Sequence, residues 1–265
     1  MEALTLVHTL YYEIVVFSLF LQFILLYNNI VLYRRGLSDK LTILLVEIFL
    51  LSIIEILLQR IEGRGGVMVA LHYLIGGIYA QTLFSVCATL NRFVLEQLGV
   101  TVSRYRLFYV VPGCIILLLF LTTPWTHLLY NIDENNVLQY LFAFDLVFVP
   151  FLALYLITVL VMVVRTLIKE RKNRRGERYR FAYRFMFFLL LVLFIYILQD
   201  YILITATNDD YFVASVCFAY PLAYLLTNLN TERLVNSQNR IATVEADLNI
   251  AANIQTGSLP SVTHA

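Results

Sequence analysis

Charged residues are scarce in this chain. Asp, Glu, Lys and Arg together make up 14% of its 265 residues, well below the share of about a quarter that is usual in soluble domains. Hydrophobic residues make up 60%, and the mean hydropathy is +0.78. This composition excludes an ordinary soluble domain and indicates a membrane protein.

Cysteine is also rare, and the common catalytic motifs are missing. The three cysteines, Cys87, Cys114 and Cys217, all fall within apolar runs, which predicts small packing residues and excludes a disulfide framework. The chain contains no HExxH, CxxC, GxSxG or glycine-rich phosphate loop. We therefore expect no catalytic residue, metal site or cofactor within these residues.

Long apolar runs are abundant. A membrane crossing needs roughly twenty mostly apolar residues, because a helix rises about 1.5 Å per residue and the hydrocarbon layer is about 30 Å thick. Seven runs meet this requirement, so the predicted fold is an all-α, seven-transmembrane helix bundle. The predicted spans are 10–32, 41–58, 67–90, 107–123, 138–164, 181–205 and 211–229.

The positions of the basic residues predict the orientation of the bundle. Lys and Arg accumulate in the cytoplasmic connections of membrane proteins. With the N-terminus outside and the C-terminus inside, 17 of the 19 Lys and Arg residues lie in cytoplasmic segments, and only Arg60 and Arg64 lie outside. An even number of crossings would place one basic end on the wrong side. We expect a multi-pass protein of the bacterial plasma (inner) membrane.

The most basic connection, 165–184, has two interpretations. Its position between two spans argues against nucleic-acid binding and favours a loop that sets topology and contacts lipid headgroups. The alternative is a docking surface for a cytosolic domain.

Ionisable groups in the spans concentrate towards the predicted outer side. Such groups are costly in hydrocarbon, so each needs a partner, a water-filled cavity or a function. We predict a ligand pocket open to the outside, whereas the alternative is an interfacial belt of shallow polar groups. The candidate ligand-binding residues are His72, Asp145, Asp200, Glu55, Glu13, Tyr79, Tyr196 and Gln199.

Other intramembrane chemistries find little support. All lysines lie in predicted cytoplasmic connections, which excludes a retinal Schiff base. Asp145 and Asp200 lack the GxGD pattern of an intramembrane aspartyl dyad. Glu47, near the middle of the second span, is either bonded to a neighbouring helix or held protonated by desolvation.

The chain after the last span predicts a cytoplasmic helix, 230–260, with a heptad pattern. Two series of residues, each repeating every seven positions and offset by three, form an a/d seam typical of a parallel coiled coil. Pro260 is expected to end the helix. The predicted signal-linker residues are Leu234, Ile241, Val244, Leu248, Ala251 and Ile254. The alternative is an amphipathic tail on the inner leaflet.

The segment VEADLNIAANIQTGSLPS, residues 244–261, resembles the linker that precedes SpoIIE-type serine phosphatase domains of the PPM family. The matching residues are Glu245, Leu248, Ala251, Ala252, Ile254, Gln255, Leu259 and Pro260, and Gly257 departs from the pattern. Residues 1–229, with the connection TTPWTHLLYNIDENNVLQY, resemble the seven-span sensor modules of bacterial histidine kinases, diguanylate cyclases and these phosphatases.

This resemblance implies a receptor whose output domain would begin after Pro260, with residues 261–265 as its first residues. The output would be a metal-dependent serine/threonine phosphatase that uses Mn²⁺ or Mg²⁺, and its metal-binding aspartates are expected outside this chain. The expected partners are a small-molecule ligand from outside, a second copy through the linker helix, a phosphoprotein regulator and the lipid membrane.

Three functions of different class are therefore open. The first is a sensor that transmits ligand binding through a dimeric linker helix. The alternative is a small seven-span transporter or channel for protons, cations or a small solute. The third is a membrane scaffold that binds no ligand.

Overall fold

The structure of the protein is a computed structural model that describes residues 2–32, 39–100, 106–132, 136, 138–172, 176–206 and 214–258. The chain divides into two compact units, residues 1–223 and residues 224–265. Helices account for most of the described residues, in the order α1 (Glu2–Leu32), α2 (Asp39–Ile61), α3 (Val67–Gln97), α4 (Arg106–Thr126), α5 (Phe142–Lys169), α6 (Glu177–Ala206) and α7 (Ala214–Ser258). A short hairpin of β1 (Tyr130–Ile132) and β2 (Leu138–Tyr140) lies between α4 and α5.

Six of these helices, α1 to α6, are long and apolar enough to cross a membrane. The predicted all-α membrane architecture is confirmed at this level, and the chain is a multi-pass membrane protein. The predicted seventh span is represented among the described residues by Ala214–Leu229, which is apolar but shorter than the other six.

The predicted start of the fifth span is wrong. Residues 138–140 form β2, and α5 begins at Phe142. In the hairpin, Tyr130 pairs with Tyr140 and Ile132 pairs with Leu138. The apolar residues of β2 therefore belong to a strand, whose side chains alternate with a period of two, and not to the first turn of a helix.

The helices of unit 1 pack around α2 and α3. The α2 helix contacts α1 and α3, α3 also contacts α4 and α5, and α6 contacts α5 and α1. One face of α2 is fully buried at helical spacing, with Leu41, Leu44, Leu45 and Ile48. Large apolar side chains on the outer faces of the bundle are exposed, for example Phe20 on α1, which suits contact with lipid chains.

Polar side chains bond the spans to one another. The amide of Gln22 on α1 donates to the hydroxyl of Ser52 on α2 at 2.8 Å. Glu47 on α2 accepts from Ser85 at 2.5 Å and from Thr89 at 3.2 Å, both on α3. The interpretation of Glu47 as a carboxylate bonded to a neighbouring helix therefore agrees with the structure. Such bonds hold apolar helices together where lipid offers no competing partner.

A second polar cluster joins α3, α4 and α5. The amide of Asn91 donates to the carbonyl of Tyr155 at 2.9 Å and accepts from the hydroxyl of Tyr109 at 2.6 Å. The rings of Tyr109 and Tyr155 stack, and the guanidinium of Arg92 lies 4.1 Å from the centre of the Tyr109 ring. This cluster fixes α4 and α5 against the last third of α3.

The α3 helix ends in a Schellman motif. Gly99 has φ +80°, its N–H donates to the Glu96 carbonyl, and the N–H of Val100 donates to the Leu95 carbonyl. These two bonds satisfy carbonyls that the helix end would otherwise leave free. The guanidinium of Arg178 on α6 lies against Gly99, where a positive charge is favourable beside the C-terminal end of a helix.

Unit 2 contains the second part of α7, described from Tyr224 to Ser258. Of the predicted linker residues, Ile241, Val244, Leu248, Ala251 and Ile254 are exposed in the single chain, and the side chain of Leu234 lies outside the described residues. Pro260 and residues 261–265 also lie outside them.

Candidate ligand-binding site at the hairpin end of the bundle

One end of the bundle, named here the hairpin end, comprises the α2–α3 connection at residues 61–67 and the β1–β2 hairpin with its flanks at residues 126–142. Asn136 is fully buried there and adopts φ +59°, a left-handed conformation that Asn tolerates better than most residues. Its amide nitrogen donates to the carbonyl of Ile61 at 2.7 Å. Its amide oxygen therefore faces Nδ1 of His72, at 3.1 Å.

This geometry determines the role of the buried His72 side chain. Because the Ile61 carbonyl can only accept, the Asn136 oxygen must be the acceptor on the other side, and Nδ1 of His72 must carry the proton and donate. His72 thus links α3 to the hairpin, and Asn136 links the hairpin to the end of α2.

Tyr73 makes a second link between α3 and the hairpin. Its hydroxyl donates to the side-chain oxygen of Asn131 at 3.0 Å and accepts from the N–H of Ile132 at 3.1 Å. Nδ1 of His127 lies 3.1 Å from the same hydroxyl. The Tyr73 ring stacks on Tyr130, whose hydroxyl donates to the Tyr73 carbonyl. The hairpin is therefore held to α3 by side-chain and main-chain bonds together.

Glu55 connects α2 to the first turn of α7. Its carboxylate is buried and accepts from the N–H of Ser215 at 3.1 Å and from the Ser215 hydroxyl. The hydroxyl of Tyr79 on α3 and the N–H of Ala214 are further hydrogen-bond donors to it. A carboxylate at a helix N-terminus satisfies main-chain N–H groups that have no partner within the helix.

The first turns of α7 also make apolar contacts with three other helices. Val216 and Val15 on α1 form a buried apolar cluster, and Ile56 on α2 and Ile195 on α6 pack against this cluster. The ring of Tyr220 stacks on Phe17 of α1. The start of α7 is therefore positioned by α1, α2 and α6, and Glu55 supplies the polar contact.

A cavity of about 700 Å³ lies between α3 and α4 at the same end. Its walls include Tyr73, Gly77 and Gln81 on α3 and Phe120 and Trp125 on α4. No charged side chain lines it among the residues that the structure describes. The volume falls within the range of about 300–1,000 Å³ typical of small-molecule sites.

The structure brings some of the predicted ligand-binding residues together and separates others. Glu55 and Tyr79 are hydrogen-bonded to each other, while His72 is bonded to Asn136. Glu13 and Tyr196 are exposed, and both amide atoms of Gln199 are buried without a hydrogen-bond partner within the described part of the chain. The positions of Asp145 on α5 and Asp200 on α6 are described, but their side chains are not.

The sequence analysis did not identify Ser215, Asn136 or the α3–α4 cavity. Ser215 lies within the predicted seventh span, 211–229, where the sequence indicates no particular partner for its side chain. Asn136 lies in an Asn-rich connection, where Asn indicates a turn but no particular partner. A cavity between two apolar helices depends on the shapes of facing side chains, which periodicity does not report.

Within the described residues, no group of three or more His, Cys, Asp or Glu side chains is arranged to hold a metal ion. No protein-family model, curated protein or solved structure matches the chain.

Proposed function

We propose that this chain is the membrane sensor of a signalling protein, in which ligand binding at the hairpin end changes the packing of the bundle and α7 carries the change into the cell. In this proposal α7 supplies a seventh crossing, so that the N-terminus lies outside and the C-terminus inside. The bias of 17 of 19 basic residues to one side supports this orientation.

The observation that carries the proposal is the bond between Glu55 and Ser215. It joins a buried carboxylate on α2 to the first turn of a 45-residue helix. Since Glu55 also accepts from Tyr79 on α3, the same carboxylate contacts α2, α3 and α7. A shift of α3 on ligand binding would change the hydrogen bonds at the start of α7. Coupling of this kind requires the ligand to bind one packing better than the other.

The proposed output is a SpoIIE-type phosphatase domain that follows the linker. The support is the resemblance of residues 244–261 to linkers of that class and the exposed apolar seam with Ile241, Val244 and Leu248. In a dimer the seams of two copies would pack together. The phosphatase would act on phosphoserine or phosphothreonine of a regulatory protein, with Mn²⁺ or Mg²⁺ activating water.

The proposal is tested by following the linker while the bundle is changed. Leu248→Cys is introduced on a Cys114→Ser background, because Cys114 is the exposed cysteine while Cys87 and Cys217 are buried. We expect disulfide-linked dimers in membranes, and we expect Glu55→Gln to change their rate of formation by about fivefold or more. The Gln side chain has one acceptor oxygen where Glu has two. Its NH2 group, a donor, would therefore face the hydroxyl or the N–H of Ser215.

The controls separate pairing from coupling. Asp247→Cys lies off the seam and should cross-link more slowly than Leu248→Cys. Glu177→Gln replaces an exposed carboxylate in the first turn of α6 and should leave cross-linking unchanged. If Leu248→Cys never cross-links, or if Glu55→Gln and Glu177→Gln behave alike, the proposed transmission is wrong.

A further inference from the structure

The cavity between α3 and α4 is apolar on nearly all sides. Gly77 leaves room that a side chain would occupy, since a Cβ atom at this position would lie 3.7 Å from Cβ of Phe120. Ala70, about two helical turns from Gly77 on α3, also contributes only a small side chain to the wall. Small residues on one helix therefore face larger apolar residues on the other, and the gap between them is the cavity.

The helix surfaces that border the cavity face outwards. Leu74 on α3 is 59% exposed and Leu121 on α4 is 56% exposed, and both line the cavity. Trp125, at the α4 end of the cavity, is 81% exposed. In a multi-pass protein such exposed apolar side chains contact lipid chains, and Trp is typical of the level where headgroups begin. The cavity is therefore accessible from the hydrocarbon layer.

One polar side chain of the cavity wall has an atom without a partner. Gln81 lines the cavity, and its Oε1 atom is buried without a hydrogen-bond donor among the described residues, so that it meets a ligand in the cavity once the side-chain amide turns towards it. A buried acceptor with no donor costs free energy that a suitable ligand group can recover. The missing group is a donor, such as a hydroxyl or an amide N–H, and a carboxylate would not supply it.

We infer that the α3–α4 cavity is a binding site for a neutral single-chain amphiphile that enters from the lipid, with its chain between the two helices and a hydrogen-bond donor on Oε1 of Gln81. Tyr73 lines this site, and its hydroxyl also bonds the β1–β2 hairpin to α3. Occupation of the cavity would thus act on the residue that fixes the hairpin to α3. The role of this site in signalling rests on the proposed sensor function. Binding of the amphiphile is measured without reference to linker cross-linking or to the activity of an output domain.

The test uses the full chain in phosphatidylcholine vesicles and a defined probe. The probe is a long-chain primary alcohol with a photoactivatable diazirine in its chain, compared with its methyl ether and its carboxylic acid. Labelled residues are mapped by mass spectrometry. We expect labelling to concentrate on residues 69–82 and 117–125, and we expect the unlabelled alcohol to compete better than the ether by about fivefold or more.

Matched variants test separately the space that holds the hydrocarbon chain and the Gln81 oxygen that accepts the hydrogen bond. Gly77→Leu and Ala70→Phe fill the cavity and should each reduce labelling of these two segments by about tenfold, as expected when a small-molecule pocket is closed. Leu118→Phe adds an aromatic ring to an exposed position on α4 outside the cavity and should leave labelling unchanged. Gln81→Leu should retain labelling but remove the preference for the alcohol over the ether. Thermal unfolding of each variant reports whether it is folded.

Several outcomes would overturn the inference. Equal labelling of all helices, insensitive to Gly77→Leu and Ala70→Phe in folded protein, would identify the probe as ordinary surrounding lipid. Stronger competition by the carboxylic acid, or an alcohol preference that survives Gln81→Leu, would contradict the assigned donor. If the alcohol binds as expected but Glu55→Gln leaves linker cross-linking unchanged, the site stands and the proposed transmission fails.

Discussion

Three buried polar side chains in this protein bind backbone atoms of other elements. Asn136 donates to the Ile61 carbonyl, Asn91 donates to the Tyr155 carbonyl, and Glu55 accepts from the Ser215 N–H. Each bond restrains the position of one element relative to another, because a main-chain atom cannot move without its helix or strand. A few such residues can therefore contribute strongly to the packing of helices whose surfaces are otherwise largely apolar.

His72 and Glu55 were predicted to line a ligand pocket, and both have protein partners in the structure. Their participation in ligand binding stays a prediction. An experiment on that role has to separate it from their hydrogen bonds, because removal of His72 leaves the Asn136 oxygen without its donor. Asp145→Asn is the sharper test, since it preserves the size of the side chain and leaves the His72–Asn136 bond intact.

At the residue scale, Gly99→Ala should destabilise the protein by about 1–2 kcal/mol, because a side chain at φ +80° is strained. Adding Arg178→Ala should not restore stability. A Cβ atom at Gly99 would lie 2.7 Å from the end of the flexible Arg178 side chain, which can move away. Thermal unfolding of the detergent-solubilised protein measures the change.

Gly63→Ala is the matched control for this prediction. Gly63 has φ +75° at the end of α2, and no heavy atom lies within 4 Å of a Cβ atom there. It should cost about the same as Gly99→Ala, within about 0.5 kcal/mol, if the backbone conformation alone sets the cost. A much larger loss at Gly99 that Arg178→Ala rescues would show that the contact with Arg178 dominates.

At the scale of elements, the β1–β2 hairpin illustrates a limit of apolar patterns. Residues 138–140 are apolar enough to read as the first turn of the fifth span, but they pair with β1 instead. A strand of three residues gives too short an alternation to distinguish from a helix. The bonds that decide in favour of the hairpin come from Tyr73 and His72, which are far away in sequence.

Asn136→Gly should loosen the hairpin, because it removes both side-chain bonds of Asn136 while keeping a backbone that tolerates φ +59°. The loss of two partners for buried groups predicts a local destabilisation of about 1–3 kcal/mol. Hydrogen exchange at Ile132, whose N–H is bonded to Tyr73, should become faster.

Asn136→Ala should have a larger effect than Asn136→Gly, since it adds the backbone cost of a non-glycine residue that lacks a local side-chain bond. Gln139→Ala on β2 is the control, because that side chain is exposed. Unchanged exchange at Ile132 in both Asn136 variants would show that Asn136 does not hold the hairpin.

At the scale of the whole molecule, the number of crossings determines the side on which the linker lies. Among the described residues, six helices are long and apolar enough to cross, and the apolar part of α7 is shorter. The sequence argument for a seventh crossing rests on charge, because a linker outside the cell would place Arg233 and Arg240 on the wrong side.

Cysteine labelling with a membrane-impermeant reagent tests the topology. On the Cys114→Ser background, we expect Gly65→Cys to react in intact cells and Thr243→Cys to react only after permeabilisation. Gly65 lies in the α2–α3 connection, where a side chain has open space, and Thr243 is exposed on α7. Reaction of Thr243→Cys in intact cells would indicate an even number of crossings and remove the basis for a cytoplasmic output.

Composition and hydropathy alone determined that this is a helical membrane protein, and they located the six helices α1 to α6, although several helix ends differ from the predicted span ends. The membrane assignment and the helix positions follow from the cost of exposing polar backbone and charge to hydrocarbon. This cost acts on each segment separately. Only the tertiary structure revealed that Asn136 joins the hairpin to α2, that Glu55 caps α7, and that a cavity lies beside Tyr73. These features depend on which helix faces meet, and hydrocarbon favours no apolar face over another.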